Sequence, residues 1–146
     1  GLGDVYKRQP ISSMSPVIVF KDDIPYLIIG AAGGPRIITG ILQGIVNAIE
    51  YDMNPEQLVS FPFITCLTEE QGLELEYGIS KDTVDKLKEM GHDINPISVN
   101  NMMSSMLNSV MHKDGIYYSA STKRVDGCGG CLCENGSIIY EGISHN

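Results

Sequence analysis

The feature that most constrains this chain is Gly33-Gly34-Pro35, a break between an apolar strand-like run and a helical repeat. Before it, Val17-Ile18-Val19-Phe20 and the run from Tyr26 to Gly30 read as two strands. The turn-forming Asp22 and Asp23 lie between them, which predicts a hairpin. Both runs are apolar throughout rather than alternating, so the pattern predicts the middle of a sheet covered on both faces. After the break, Pro35 suits the first turn of a helix. Ile37, Ile38, Ile41, Leu42, Ile45, Val46 and Ile49 then recur at the helical period, predicting a long helix with a wide apolar face ending near Tyr51.

The remaining elements are shorter. Prolines at 10 and 16 bracket an extended segment, and Pro55 to Val59 starts a short second helix. Phe61 to Thr68 is irregular or strand-like, and Leu73 to Tyr77 is a strand. Ser80 caps a helix reaching Met90, with Ile79 and Val84 placed as a hydrophobic staple and Gly91 suited to the left-handed C′ position. Met106 to Met111 and Ile116 to Ala120 flank Lys113-Asp114-Gly115 as a second hairpin. A last strand runs from Ser137 to Tyr140 after the Asn135-Gly136 turn. This order predicts an α+β fold or a layered sandwich with the first hairpin central.

Charge narrows the partners. Eighteen acids against ten bases give a net charge of −8, which disfavours nucleic acid and anionic lipid, since both need a basic surface. No apolar run approaches the length of a membrane helix, and the first twenty residues lack the pattern of a signal peptide. Residues 1–9, Gly-Leu-Gly-Asp-Val-Tyr-Lys-Arg-Gln, follow neither period and resemble a translated sequencing adaptor, so they are expected to be a non-native tail. With no initiator Met, the chain is expected to be the C-terminal part of something longer; a processed mature chain is also compatible with that start.

Several side chains carry potential chemistry. Glycines 33 and 34 at the start of a helix either bring backbone N–H groups to an anion or an oxyanion, or only permit a tight turn. Neither a Walker loop nor a dinucleotide fingerprint is present. Ser12 and Ser13 either donate together to a carboxylate or sit in a solvated loop. Cys128, Cys131 and Cys133 have chelating or redox spacing, yet a closed zinc site needs a fourth ligand from Cys66, His112 or His145. Cys66 reads as a buried apolar side chain, and His92 as a helix C-terminal cap. Met102, Met103, Met106 and Met111 read as core filling. Glu69, Glu70, Glu74 and Glu76 read as a solvated face.

Together these residues resemble the γ-glutamyltransferase (glutathione hydrolase) family. The resemblance rests on Pro10-Ile11-Ser12-Ser13-Met14-Ser15-Pro16, on Gly30-Ala31-Ala32-Gly33-Gly34-Pro35-Arg36-Ile37-Ile38-Thr39, and on the helix from Val46 to Asn54. It continues through Gly78-Ile79-Ser80, Met90-Gly91-His92 and Tyr118-Ser119-Ala120-Ser121, covering residues 10–127 as a small-subunit fragment. Residues 128–146 then form a divergent Cys-containing tail. The resemblance implies part of a four-layer αββα N-terminal-nucleophile hydrolase sandwich. It implies an enzyme that cleaves γ-glutamyl amides such as glutathione and passes the γ-glutamyl group to water or to an amino acid or peptide acceptor. Ser12 and Ser13 would hold the α-carboxylate, and Gly33 and Gly34 would supply the oxyanion hole. No cofactor and no metal is implied. The implied partners are a large subunit and the rest of the small subunit, and the implied location is extracytoplasmic.

The departures are specific. The family's nucleophile is an N-terminal Thr, whereas Thr39, Thr65, Thr68, Thr83 and Thr122 are internal and follow the serine pair, so the chain alone is expected to be inactive. Pro35 stands where the family usually has Ser and removes one N–H. Phe61-Pro62-Phe63-Ile64 replaces a Pro-Arg-Phe-His-like stretch, and Ser121-Thr122-Lys123-Arg124 replaces Ser-Asp-Pro-Arg. Two other readings stay open: an acylase of the same fold acting on another amide, and a non-catalytic metal- or thiol-binding protein using the Cys128 to Cys133 cluster.

Overall fold

Two aspartates reverse the chain at its first hairpin. Strand β1 (Val17–Lys21) and strand β2 (Ile24–Ala32) pair antiparallel, and Asp22 and Asp23 between them have φ of 51° and 61°. Two consecutive left-handed residues make the turn that matches the twist of paired strands, and Asp tolerates that conformation better than most residues. The fold is a computed structural model that describes residues 13–97, 105–124, 129–132 and 138–141.

The second hairpin repeats the device. Strand β6 (Met106–Lys113) and strand β7 (Ile116–Ser121) are joined by Asp114 and Gly115, with φ of 53° and 80°. β6 pairs with β2, giving a four-stranded antiparallel sheet in the order β1-β2-β6-β7. The first hairpin is therefore not central as a unit: β2 is interior and β1 is an edge strand.

Helix α1 (Arg36–Glu50) and helix α2 (Pro55–Ser60) cover one face of this sheet. The core lies between them: Leu27 and Ile29 of β2 and Leu107 and Met111 of β6 meet Ile37, Ile41 and Ala48 of α1, with Leu58, Val59 and Phe63. Burying each such aliphatic chain contributes about 1.5–3 kcal/mol. The other face carries Ile18, Phe20 and Ile28, all exposed. The expected cover on both faces is thus provided on one face only by the described residues. Continuous apolar character does not say which layer supplies the cover.

The long helix shows a similar difference. Its inward face is Ile37, Gly40, Ile41, Gly44 and Ala48, whereas Ile38, Leu42, Val46 and Ile49 are exposed. Gly40 lies against the Ser105 side chain and Gly44 against Ile29 and Leu107, so two residues without side chains let the helix sit close to the strands. Helix α2 opens with a full capping box: Asn54 Oδ1 accepts from Gln57 N, and Gln57 Oε1 accepts from Asn54 N, both at 2.9 Å.

A second, three-stranded sheet follows. Strand β3 (Ile64–Thr65) pairs antiparallel with β4 (Leu73–Glu76), and β4 pairs parallel with β5 (Ile94–Ile97). A short 3-10 turn (Glu69–Gln71) precedes β4, and helix α3 (Lys81–Glu89) makes the crossover to β5. Ser80 Oγ caps α3 by accepting from Thr83 N at 3.2 Å. At its other end Gly91, with φ of 92°, donates to Lys88 O while His92 N donates to Leu87 O, the paired bonds of a Schellman motif. A last hairpin, β8 (Gly129–Leu132) with β9 (Ile138–Glu141), lies beside the outer side of β7, where Ser119 Oγ donates to Gly130 O at 2.8 Å. The expected tail at residues 1–9, the Asn135-Gly136 turn, and Met102, Met103 and His145 lie outside the described residues.

Candidate active site

The glycine break is built as the sequence predicts, with a detail that bears on its chemistry. Gly33 has φ of 131° and Gly34 φ of 62°, values that a side chain would strain. Among the described residues a Cβ on Gly34 would meet nothing within 4 Å, so the positive φ rather than packing calls for glycine there. Pro35, with φ −64° and ψ −19°, forms the N-cap of α1, and Ile37 N donates to Gly34 O at 3.2 Å. The starts of α2 and α3 each carry a side-chain cap and an acidic residue in the first turn; α1 has neither. Its N-terminal N–H groups and its dipole's positive end are therefore left to whatever approaches the turn.

Ser13 arrives at the same end of the sheet. β1 and β2 run antiparallel with Val17 opposite Ile29, so the segment that enters β1 lies at the end of the sheet where β2 leads into the glycine turn. Ser13 is half-buried, and its carbonyl accepts from Ser15 Oγ at 3.1 Å. Ser12 lies outside the described residues. β6 begins on the other side of β2 with Met106 opposite Ala32, so Ser105 also borders this end.

A polar seam that the sequence reading missed locks α1 beneath the turn. Arg36, the first residue of α1, grips Glu74 of β4 with two bonds, Nε to Oε2 at 2.8 Å and Nη2 to Oε1 at 2.6 Å. One helical turn on, the Thr39 and Thr65 hydroxyls lie 2.9 Å apart. Gln43 then clamps the Ile64 peptide from both sides, donating to its carbonyl at 2.5 Å and accepting from its N–H at 3.0 Å. Arg36, Thr39 and Gln43 share one helix face, and that spacing was the available signal.

The second ion pair is more enclosed. Arg124 donates from Nε to Glu76 Oε1 at 2.6 Å and from Nη2 to Glu76 Oε2 at 2.5 Å. It also donates to Val59 O at 2.6 Å, to Phe61 O at 2.9 Å and to the Thr122 hydroxyl at 3.2 Å. Its guanidinium carbon lies 4.7 Å from the centre of the Phe63 ring. Glu74 and Glu76 are therefore not a solvated face; each neutralises an arginine brought from far along the chain.

Other candidates resolve differently. Cys66 is exposed rather than buried, because Thr65 takes the inward position of β3 and the next side chain turns outward. Cys128 and Cys133 lie outside the described residues, and Cys131 lies in β8. Among the described residues no group of three or more His, Cys, Asp or Glu side chains is arranged to hold a metal ion. His112 stacks on Tyr117, with ring centres 4.6 Å apart, at the opposite end of the sheet from the glycine turn. There Lys113 Nζ donates to both carboxylate oxygens of Asp52, at 3.1 and 3.2 Å, and this bond and charge hold its ammonium pKa above the ordinary 10.5. No helix among the described residues is long and apolar enough to cross a membrane.

Comparison with known proteins identifies the family and the fold. The sequence model of the family described as Gamma-glutamyltranspeptidase matches residues 6–130. A glutathione hydrolase proenzyme of Bacillus subtilis subsp. natto is 38% identical over 112 residues, covering 75% of this chain and 18% of that protein. The glutathione hydrolase proenzyme of Escherichia coli K12 is 36% identical over 117 residues, covering 80% and 20%. Among solved structures, a mutant γ-glutamyltranspeptidase of Helicobacter pylori superposes with a TM-score of 0.72 at 33% identity, covering 81% of this chain and 64% of that one. The fold is thus the α+β arrangement of an N-terminal-nucleophile hydrolase. The chain belongs to the γ-glutamyltranspeptidase family, a family of enzymes, and spans about a fifth of the length of the curated relatives it matches.

Proposed function

We propose that this chain is the part of a γ-glutamyltransferase or glutathione hydrolase that binds the substrate's α-carboxylate and stabilises the oxyanion. The observation that carries the reading is the bare start of α1: an uncapped N-terminus behind two glycines of positive φ, at the end of the sheet where the chain enters β1. The Ser12 and Ser13 hydroxyls donate to the α-carboxylate of a γ-glutamyl compound such as glutathione. The Gly33 and Gly34 N–H groups donate to the carbonyl oxygen as it gains charge, where fixed donors in a dry site act most strongly. Pro35 contributes no N–H, so the two glycines carry the hole alone. The nucleophilic Thr comes from outside these residues, from the rest of the small subunit, and a large subunit completes the αββα sandwich. The acyl group then passes to water or to an amino acid or peptide acceptor. Residues 10–127 form the small-subunit portion, residues 128–146 a divergent tail, and the assembled enzyme works outside the cytoplasm.

The test uses the full-length enzyme carrying this segment and a γ-glutamyl anilide as substrate. Ser12→Ala and Ser13→Ala each remove a bond to a charged group, worth about 1.5–3 kcal/mol, so KM should rise roughly 10- to 100-fold. Gly34→Ala redirects an oxyanion donor and should lower kcat by about 100-fold or more. Unchanged kinetics in the serine variants would exclude the carboxylate role. Equal turnover of unrelated acyl anilides would point instead to an acylase of the same fold.

A further inference from the structure

Behind the glycine turn, between α1, β3, β4 and the start of β6, lies a small cavity lined by Arg36, Thr39, Phe63, Thr65, Glu76, Ile97 and Ser105. Two of its lining residues hold polar atoms that are buried and make no hydrogen bond: Arg36 Nη1 and Ser105 Oγ. Arg36 is 7% exposed and Ser105 3% exposed, so neither atom has access to bulk solvent. Leaving a buried polar group unpaired costs about 1–3 kcal/mol, and more when the group is charged. Two such groups beside one cavity call for a shared partner.

We infer that this cavity is a binding site for one ordered water molecule, which ties the first residue of α1 to the start of β6. The size fits, because the cavity offers about 10 Å³ to the centre of a water molecule, close to the minimum that one water needs. The donor and acceptor inventory fits as well. Thr39 commits its hydroxyl hydrogen to Arg36 O at 3.1 Å, so in the Thr39–Thr65 pair Thr65 is the donor. Both threonine oxygens then keep lone pairs and have no hydrogen left to give. A water accepts from Arg36 Nη1, exchanges a bond with Ser105 Oγ and donates to a threonine oxygen, reaching the three bonds common for buried waters.

Charge argues against an ion. Arg36 is neutralised by Glu74 at 2.6 Å and Glu76 by Arg124 at 2.5 Å, so the walls present no net charge to attract chloride or a cation. The ligand must also donate and accept at once, which a halide does not.

The test is a crystal structure of the full chain at a resolution that shows ordered water, with a bromide soak, together with oxygen-17 relaxation dispersion to count long-lived waters in solution. The expected result is one peak within hydrogen-bond distance of Arg36 Nη1 and Ser105 Oγ, without anomalous signal from bromide. Ser105→Val places methyl groups in the cavity and should remove that peak and one long-lived water from the dispersion. An empty cavity, a bromide peak, or a direct Arg36 Nη1 to Ser105 Oγ bond with the cavity closed would overturn the inference. If Ser105→Val does not fold, the map and dispersion of the unmodified chain decide alone. The inference does not depend on the catalytic reading.

Discussion

Arg124 offers the sharpest test of how this fold is held. Its guanidinium makes five hydrogen bonds that join the segment after β7 to β4 and to the chain leaving α2. Its side chain is 9% exposed and that of Glu76 3%, so solvent cannot replace either partner. Arg124→Ala takes two charged donors from the Glu76 carboxylate, and strips the Val59 and Phe61 carbonyls of these donors. Removing one member of a buried pair typically costs about 3–5 kcal/mol, a large share of the 5–15 kcal/mol that holds a domain together. Arg124→Lys keeps the charge but loses the planar fork, and should cost about 2 kcal/mol. The double change Arg124→Leu with Glu76→Leu removes both charges at once, and should cost less than Arg124→Ala. Urea unfolding followed by circular dichroism measures all three in the full chain. A loss below about 1 kcal/mol for Arg124→Ala, or a double variant weaker than the single, would refute the claim that this pair is a dry clamp.

Four smaller changes test other parts of the structure. A Cβ on Gly40 would lie 2.6 Å from Ser105 Cβ, whereas one on Gly44 would lie 2.5 Å from the terminal Cδ1 of Ile29, which can move. Alanine gains about 1 kcal/mol of helix propensity at either site, and overpacking costs about 1–3 kcal/mol, so thermal unfolding should find Gly44→Ala near neutral and Gly40→Ala destabilised. Asp23→Gly relieves a left-handed residue in the first turn and should stabilise the chain by about 0.5 kcal/mol, read from the urea midpoint. Lys113 should titrate above 10.5 in an NMR experiment, and Asp52→Asn should bring it back toward that value. Since the folded pKa is the higher one, the contribution of this pair is complete below pH 10.5 and fades as pH rises through the folded value.

Local chemistry was legible in the sequence wherever neighbouring residues decide the outcome. Both hairpins, the Ser80 cap, the Gly91 terminus and the entry of α1 at Pro35 all follow from residues within a turn of one another. The ion pairs were not legible, because Arg36 meets Glu74 across 38 positions and Arg124 meets Glu76 across 48. Alternation along Leu73-Glu74-Leu75-Glu76 suggests one wet face, but an arginine from a distant segment reaches each acid, and no local pattern encodes that encounter. Cys66 was misread for a related reason: cysteine is commonly buried, yet the two-residue strand before it sets which side chains point inward. Of the candidate site, the glycine turn was legible and its missing cap was not, since the absence of a capping bond is visible only in the structure.

The apolar residues left bare in this chain follow a pattern of their own. Ile38, Leu42 and Val46 lie at successive four-residue steps along α1, and Ile18, Phe20 and Ile28 share the outer face of the sheet. A helix apolar on two sides is the signature of one buried on two sides, and a strand without alternation is that of one covered above and below. The sequence reading of β1 and β2 as doubly covered therefore described a burial that the described residues supply on one face only. Family membership accounts for the difference in physical terms. The chain covers 18–20% of relatives such as the Bacillus and Escherichia proteins, and the N-terminal-nucleophile fold stacks a second sheet on the first. The bare apolar face of the four-stranded sheet suits such a second layer, because it carries Ile18, Phe20 and Ile28. The glycine turn lies at the end of that sheet, next to the last residue of β2. A second sheet on that face accounts for the exposed Ile18, Phe20 and Ile28, whereas the outward stripe of α1 lies on the other side of the sheet and needs a different neighbour.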